Sequence, residues 1–274
     1  TSGARPRVMA FANSGDGRPW VATTAGLFRL DPDVPALQPV SIPGIPAPDL
    51  RSIALGADGT LWLGSNDDGL IGYNPAEAKV RHIRYLGGDP RGLSHQQVHA
   101  LLVDRTGRVW IGTGHGLDLF DPRSRQLRHF QQQPDEPEGL AGNLVRALWQ
   151  GPDGAIWVGS HGGLNRIDAG ADGSLRISQP LTSALAGQPW PIVFSLVADG
   201  AGGGDVRTLA LDVRGRLFQG FCVARTDHHA RALRGDRFGD RGPEAAARPA
   251  HQDPPLLEPQ VHPVPSVCAT RRSS

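Results

Sequence analysis

Apolar and polar residues alternate along short stretches of this chain, and Gly, Asp and Pro punctuate them. The pattern is clearest between Val98 and Phe130. Val98–Val103 is a β-prone run that ends at Asp104-Arg105-Thr106-Gly107, a set of residues suited to a tight turn. A second strand is expected over Arg108–Thr113, and Gly114-His115-Gly116 turns the chain back. Leu117–Phe120 alternates as a half-buried strand does. Asp121-Pro122 opens another turn, and Gln126–Phe130 alternates again. No stretch carries a helical period. The pattern predicts four short antiparallel strands.

The same phrase occurs four times: SGDGRPWVATTAGLFRLDP, GADGTLWLGSNDDGLIGYNP, DRTGRVWIGTGHGLDLFDP and GPDGAIWVGSHGGLNRIDA. Its tryptophans, Trp20, Trp62, Trp110 and Trp157, are spaced 42, 48 and 47 residues apart. A four-stranded unit repeated every ~40–50 residues is the signature of a propeller blade. The fold expected is therefore all-β, a β-propeller built of four-stranded blades. Blades are expected over about 7–44, 49–88, 97–133 and 143–180, with a partial one over 191–220. The repeated Trp should pack between adjacent blades, where a large rigid apolar surface stabilises the stack. The Gly-Leu pairs Gly92-Leu93 and Gly139-Leu140 lie in the connections between blades.

Beyond Gln179 the pattern degrades. Val193–Ala198 matches the first strand of a blade, but no Trp strand follows. Val206–Phe218 then reads as a fresh first and second strand, with Phe218 at the Trp position. After Gly220 no Gly-Leu-x-x-Phe strand and no Asp-Pro turn continues the blade. The propeller is thus expected to be incomplete within 1–220. The tail 221–274, rich in Arg, Ala, Pro, His and Asp, is expected to be disordered or frame-shifted. A change of reading frame near Phe218, with material lost between Gly202 and Val206, accounts for the abrupt end. Translating the DNA in the other frames checks it.

Composition changes this picture little. The 274-residue chain has a formal net charge of +1, which gives no bulk reason to expect nucleic acid or an anionic membrane. Lys79 is its single lysine. Cys222 and Cys268 lie in the last quarter, and their positions do not form a metal-site spacing. No apolar run approaches the ~18 residues of a membrane helix, and Thr1 opens no signal segment. The chain is expected to be either a cytosolic protein with its start removed or, as the preferred reading, a piece of a longer precursor.

Candidate chemistry is sparse. Gly112-Thr113-Gly114-His115-Gly116 has the glycines of a phosphate loop but no following helix, so it is a strand-to-strand turn. Gly202-Gly203-Gly204-Asp205 has no catalytic surroundings. His115 and His161 follow the second strands of neighbouring blades and could converge on one rim as ligand-binding residues. A metal site there would draw on Asn66, Asp67 and Asp68 of another blade, but solvated turns explain these residues better, and neither metal nor cofactor is expected. Trp149 falls in a first strand, level with Leu102, and should pack in the core. Trp190 lies in an inter-blade connection and is the aromatic candidate for stacking on a sugar ring. No nucleophile elbow, His-Glu-x-x-His pair or Cys-x-x-Cys pair is present, so no catalytic residue is assigned.

The phrase DRTGRVWIGTGHGLDLFDP and its three partners resemble the two-component regulator propeller repeat, over about residues 7–218. The resemblance implies a periplasmic sensor propeller of a bacterial signalling receptor, whose output would be a histidine kinase, often a hybrid one, or a diguanylate cyclase. It implies seven blades where this chain has four complete ones. The implied function is a non-catalytic sensory module that binds a ligand or partner. Its partners would be a small molecule or glycan, the propeller or linker domains of the parent receptor, and a second copy through that parent. No nucleic acid or membrane contact is implied for this segment. Two alternatives stand beside it: a propeller enzyme, such as a lyase or glycan hydrolase, and a structural interaction propeller. The short turns argue against the enzyme.

Overall fold

The structure, a computed structural model, describes residues 6–31, 33, 36–133, 139–170 and 172–180, and the strand backbones of 192–198, 206–211, 217–223 and 231–232. Trp190, most of the tail 221–274 and the whole of the compact unit Arg237–Ser274 lie outside the described residues.

Among the described residues, twenty strands form five four-stranded antiparallel sheets, each in simple meander order. The first sheet holds β1 (Val8–Ala12), β2 (Trp20–Thr23), β3 (Gly26–Asp31) and β4 (Ala36–Val40). The second holds β5 (Leu50–Leu55), β6 (Leu61–Ser65), β7 (Leu70–Asn74) and β8 (Lys79–Ile83). The third holds β9 (Val98–Val103), β10 (Val109–Thr113), β11 (Gly116–Phe120) and β12 (Leu127–Phe130). The fourth holds β13 (Val145–Gln150), β14 (Ile156–Ser160), β15 (Gly163–Ala169) and β16 (Leu175–Ser178). The fifth holds β17 (Ile192–Ala198), β18 (Val206–Leu211), β19 (Leu217–Val223) and β20 (Arg231–Ala232). This is the all-β propeller architecture that the repeat predicts.

The fifth sheet differs from its sequence reading. Val206–Leu211 does not start a fresh blade. It pairs antiparallel with β17, as Ala198↔Val206 through Ile192↔Leu211, and is the second strand of the same sheet. Phe218 falls in the third strand, opposite Ala210. Alternation marks a strand as half-buried but does not number it within its blade. Only the pairing partner does.

The core lies between blades. First strands of successive sheets stand side by side, β1 by β5, β5 by β9, β9 by β13 and β13 by β17. Each repeated Trp faces the next blade. Trp62 packs with Val98, Val109, Ile111 and Phe120, and its ring meets Phe120 edge-on at 5.7 Å. Trp110 packs with Val145, Ile156, Val158 and Ile167. Trp157 joins Leu164 and Val193, with Trp149 half-buried against them. Trp149 sits opposite Trp157 as Leu102 sits opposite Trp110. A repeated close approach seals these interfaces. A Cβ on Gly112 of β10 would lie 2.7 Å from Val145 Cγ1, and one on Gly64 or Gly159 would lie 2.5 Å from the Cγ1 of Val98 or Val193. Only glycine leaves room for the next blade's valine.

The turn before each Trp strand is also built from the sequence up. In the third blade Asp104 Oδ1 accepts from the backbone N–H of Thr106 and Arg108, and Gly107 takes a φ of +85° that closes the turn. The Asp104 carboxylate is buried, and its other oxygen accepts from Trp110 Nε1 at 2.9 Å.

Candidate functional site

Every first strand carries one residue more than its partner. Val98 and Ala100 pair with Thr113 and Gly112, leaving His99 as a β-bulge. The same break leaves out Met9 in β1, Arg51 in β5, Arg146 in β13 and Phe194 in β17. A bulge re-aims its extra side chain, and here it does so at one height on neighbouring blades. Met9, Arg51, His99 and Arg146 line a cavity of about 300 Å³, which Asn66 completes.

Asn66 arrives there through a second repeated feature. The first residue after each Trp strand donates its N–H to the carbonyl two residues ahead of the bulge. These bonds are Thr24 to Arg7 (3.1 Å), Asn66 to Asp49 (2.8 Å), Gly114 to Gln97 (3.1 Å) and His161 to Leu144 (3.0 Å). They tie the turn after each Trp strand to the chain just ahead of the bulge, and in the second blade this sets Asn66 at the mouth of the cavity.

The site is basic. Arg51 Nη2 bonds Asp49 Oδ2 at 2.7 Å, whereas Arg146 has no carboxylate in ion-pair range among the described residues. The Nη1 group of Arg146 instead lies 3.5 Å from His99 Nδ1. The Nε groups of Arg51 and Arg146 are both buried and have no hydrogen-bond acceptor among the described residues. Burial, and then the charges of Arg146, His95, Arg51 and His161, push the His99 imidazole down to about 4. Burial and the Arg51 charge likewise lower Arg146. His99 is therefore neutral at neutral pH. Chemically the mouth offers guanidinium donors and a weakly basic imidazole.

The two histidines singled out by sequence are not equivalent. Both lie in two-residue turns, bounded by the pairs Thr113↔Gly116 and Ser160↔Gly163. His115 is the second residue of its turn and is exposed, and its carbonyl accepts from Gln131 Nε2 at 3.3 Å. His161 is the first residue of its turn and half-buried. Its imidazole is lowered by burial and by the nearby Arg146 charge. Neither histidine is among the residues that line the cavity, which are Met9, Arg51, Asn66, His99 and Arg146. Sequence reasoning missed Met9, Arg51, His99 and Arg146. Aligning the second position of each first strand would have found them. Among the described residues no three His, Cys, Asp or Glu side chains gather to hold a metal, and no helix is long and apolar enough to cross a membrane.

Residues 92–115 match the two component regulator propeller family. Among solved structures, the extracellular domain of the hybrid two component system BT4673 from B. thetaiotaomicron is similar at 18% identity. That likeness has a TM-score of 0.63 and covers 86% of this chain and 29% of that one. The corresponding domain of BT3049 from the same organism is 21% identical, with a TM-score of 0.58, over 74% of this chain and 26% of that one. A catalytically inactive virginiamycin B lyase from Staphylococcus aureus is 13% identical, with a TM-score of 0.53, over 79% of this chain and 70% of that one. No curated protein matches the sequence. The chain thus spans little more than a quarter of the first two structures, and at these identities the likeness establishes the fold. The segment 92–115 matches the two component regulator propeller repeat, in a fold shared with extracellular domains of two-component systems.

Proposed function

We propose that this chain is a non-catalytic sensory module of a two-component receptor, lying outside the cytoplasm and binding a ligand at the mouth of its propeller axis. One observation carries the reading. The same bulge position on neighbouring blades projects Met9, Arg51, His99 and Arg146 into one cavity. A scaffold that re-aims a side chain at every repeat presents variable residues on a rigid frame, as a sensor family with different ligands requires. The cavity is small, so the ligand is a small molecule or one unit of a glycan. Further propeller and linker domains of the parent, and a second copy of it, are the partners proposed. A ligand would signal only by binding one arrangement of these parts better than another.

The lyase likeness is a likeness of fold. An imidazole pushed down to about 4 between two guanidiniums is a poor proton acceptor at neutral pH, which argues against base catalysis at this mouth. Incubating the chain with pooled metabolites and oligosaccharides, then identifying what it retains, tests the proposal. The reading expects a retained molecule recovered unchanged. Turnover of that molecule at the mouth would favour an enzyme and sink the sensory reading.

A further inference from the structure

We infer that the mouth formed by Arg51, His99 and Arg146 takes the oxyanion of its ligand, a carboxylate, phosphate or sulfate group. This deepens the reading of the mouth as the ligand site and rests on it. Three observations point to an anion. First, Arg146 is a half-buried guanidinium with no carboxylate partner among the described residues, and Arg51, also half-buried, shares a single one, Asp49. Like charges brought together in a partly dry cavity repel, and an anion between them removes the repulsion. Second, the Nε groups of both arginines have no hydrogen-bond acceptor among the described residues, so neither guanidinium is saturated by them. A guanidinium presents its N–H groups as a fork that matches a two-oxygen acceptor. Third, both arginines occupy bulges, so their approach to the cavity is set by backbone pairing.

The groups facing His99 are Arg146, His95, Arg51 and His161, all of them cationic or able to become so. An anion seated among them opposes their effect and draws a proton onto His99. Binding is therefore coupled to proton uptake and tightens as pH falls from neutral toward the value of the free imidazole.

The test is isothermal titration of the full chain with inorganic phosphate, sulfate and succinate at pH 7.5 and pH 5.5. The variants are Arg146→Met, Arg51→Met and, as a control on the exposed surface, Arg123→Met. The inference expects saturable binding of at least one of these anions and, for sulfate, whose charge is the same at both pH values, tighter binding at pH 5.5. It expects a loss of about tenfold or more in either mouth variant and none in the control. The three anions separate a carboxylate from a phosphate or sulfate site. Near-UV circular dichroism shows that each variant is folded. Should Arg146→Met misfold, Arg146→Lys keeps the charge without the fork and is expected to weaken binding. Equal affinity in wild type and both mouth variants, or no saturable binding of any anion, overturns the inference. A neutral molecule that binds the mouth independently of Arg146 would overturn the anion class while leaving the sensory reading standing.

Discussion

Arg146 Nη1 stands 3.5 Å from His99 Nδ1, across the boundary between the third and fourth blades. The contact makes the mouth sensitive to acid. His99 ordinarily titrates near 6.5 and is held down to about 4 in the fold by burial and by the facing charges of Arg146, His95, Arg51 and His161. Between those values the unfolded chain binds the extra proton, so stability falls as pH drops through that window and is fully present above it. Replacing His99 with Asn should flatten this part of the acid limb in melts recorded from pH 4 to 7. Arg146→Met should raise the His99 value, read directly by imidazole NMR. A His99 titration near 6.5 in the wild-type chain would contradict the geometry.

His129 behaves oppositely. Its Nδ1 lies 2.7 Å from Asp118 Oδ1 and its Nε2 lies 3.0 Å from the Pro90 carbonyl, so both nitrogens face acceptors and the arrangement favours the imidazolium, which has a proton on each. The hydrogen bond to Asp118 raises His129, against an opposing effect of burial. The raised value means that this stabilisation is fully present below about 6.5 and is lost as pH rises through the folded value. Asp118 is fully buried and also accepts from Ser94 N, which ties down the Gly-Leu connection. In the fourth blade Asn165 holds the matching place and accepts from Ala141 N. Asp118→Asn should lower the His129 value, cost about 1–3 kcal/mol at pH 6 and reduce the loss of stability toward pH 8. Denaturant titrations at the two pH values measure both effects.

Gly112 and Val145 should be coupled. Gly112→Val places atoms where Val145 already stands, within 2.7 Å for the Cβ alone, and is expected to cost about 1–3 kcal/mol. Val145→Ala leaves a void by itself. Together the two should cost less than their sum, because each relieves the other. Additive losses in the double-mutant cycle would show that the blades do not interlock at this point.

Asp104 and Trp110 test the turn. Asp104→Ala strips the acceptor from a buried indole N–H and should cost about 1–3 kcal/mol. The second and fourth blades have glycine at this position, Gly56 and Gly151. Their turns rest on Asp58 and Asp153, whose Oδ1 atoms accept from Thr60 N and Ala155 N. Asp104→Gly combined with Thr106→Asp writes that turn into the third blade. It should recover part of the loss in thermal melts, whereas Asp104→Gly alone should not.

These turns explain how much the sequence disclosed. Turn residues, alternation and the spaced tryptophans are local signals, and they located four blades and the burial of Trp20, Trp62, Trp110 and Trp157. The fifth sheet was misnumbered because strand order within a blade depends on pairing between distant residues, as for Val206 opposite Ala198. The mouth was missed for a related reason. A bulge is a property of two strands at once, and neither Arg51 nor Arg146 departs from a polar position in an alternating strand. His161 was legible as a turn histidine. Its one-place offset from His115 became meaningful only through the pairs Thr113↔Gly116 and Ser160↔Gly163.

The central claim is that the bulged first-strand residues form the contact surface for ligand. Met9 tests it most directly, because it is the only methionine in the chain and it lines the cavity. Labelling with methyl-¹³C methionine gives a single NMR signal from the mouth. The account predicts that a ligand retained by the chain shifts this signal saturably, with the same affinity as its bulk binding isotherm. A ligand that saturates the chain while the Met9 signal stays in place would contradict it.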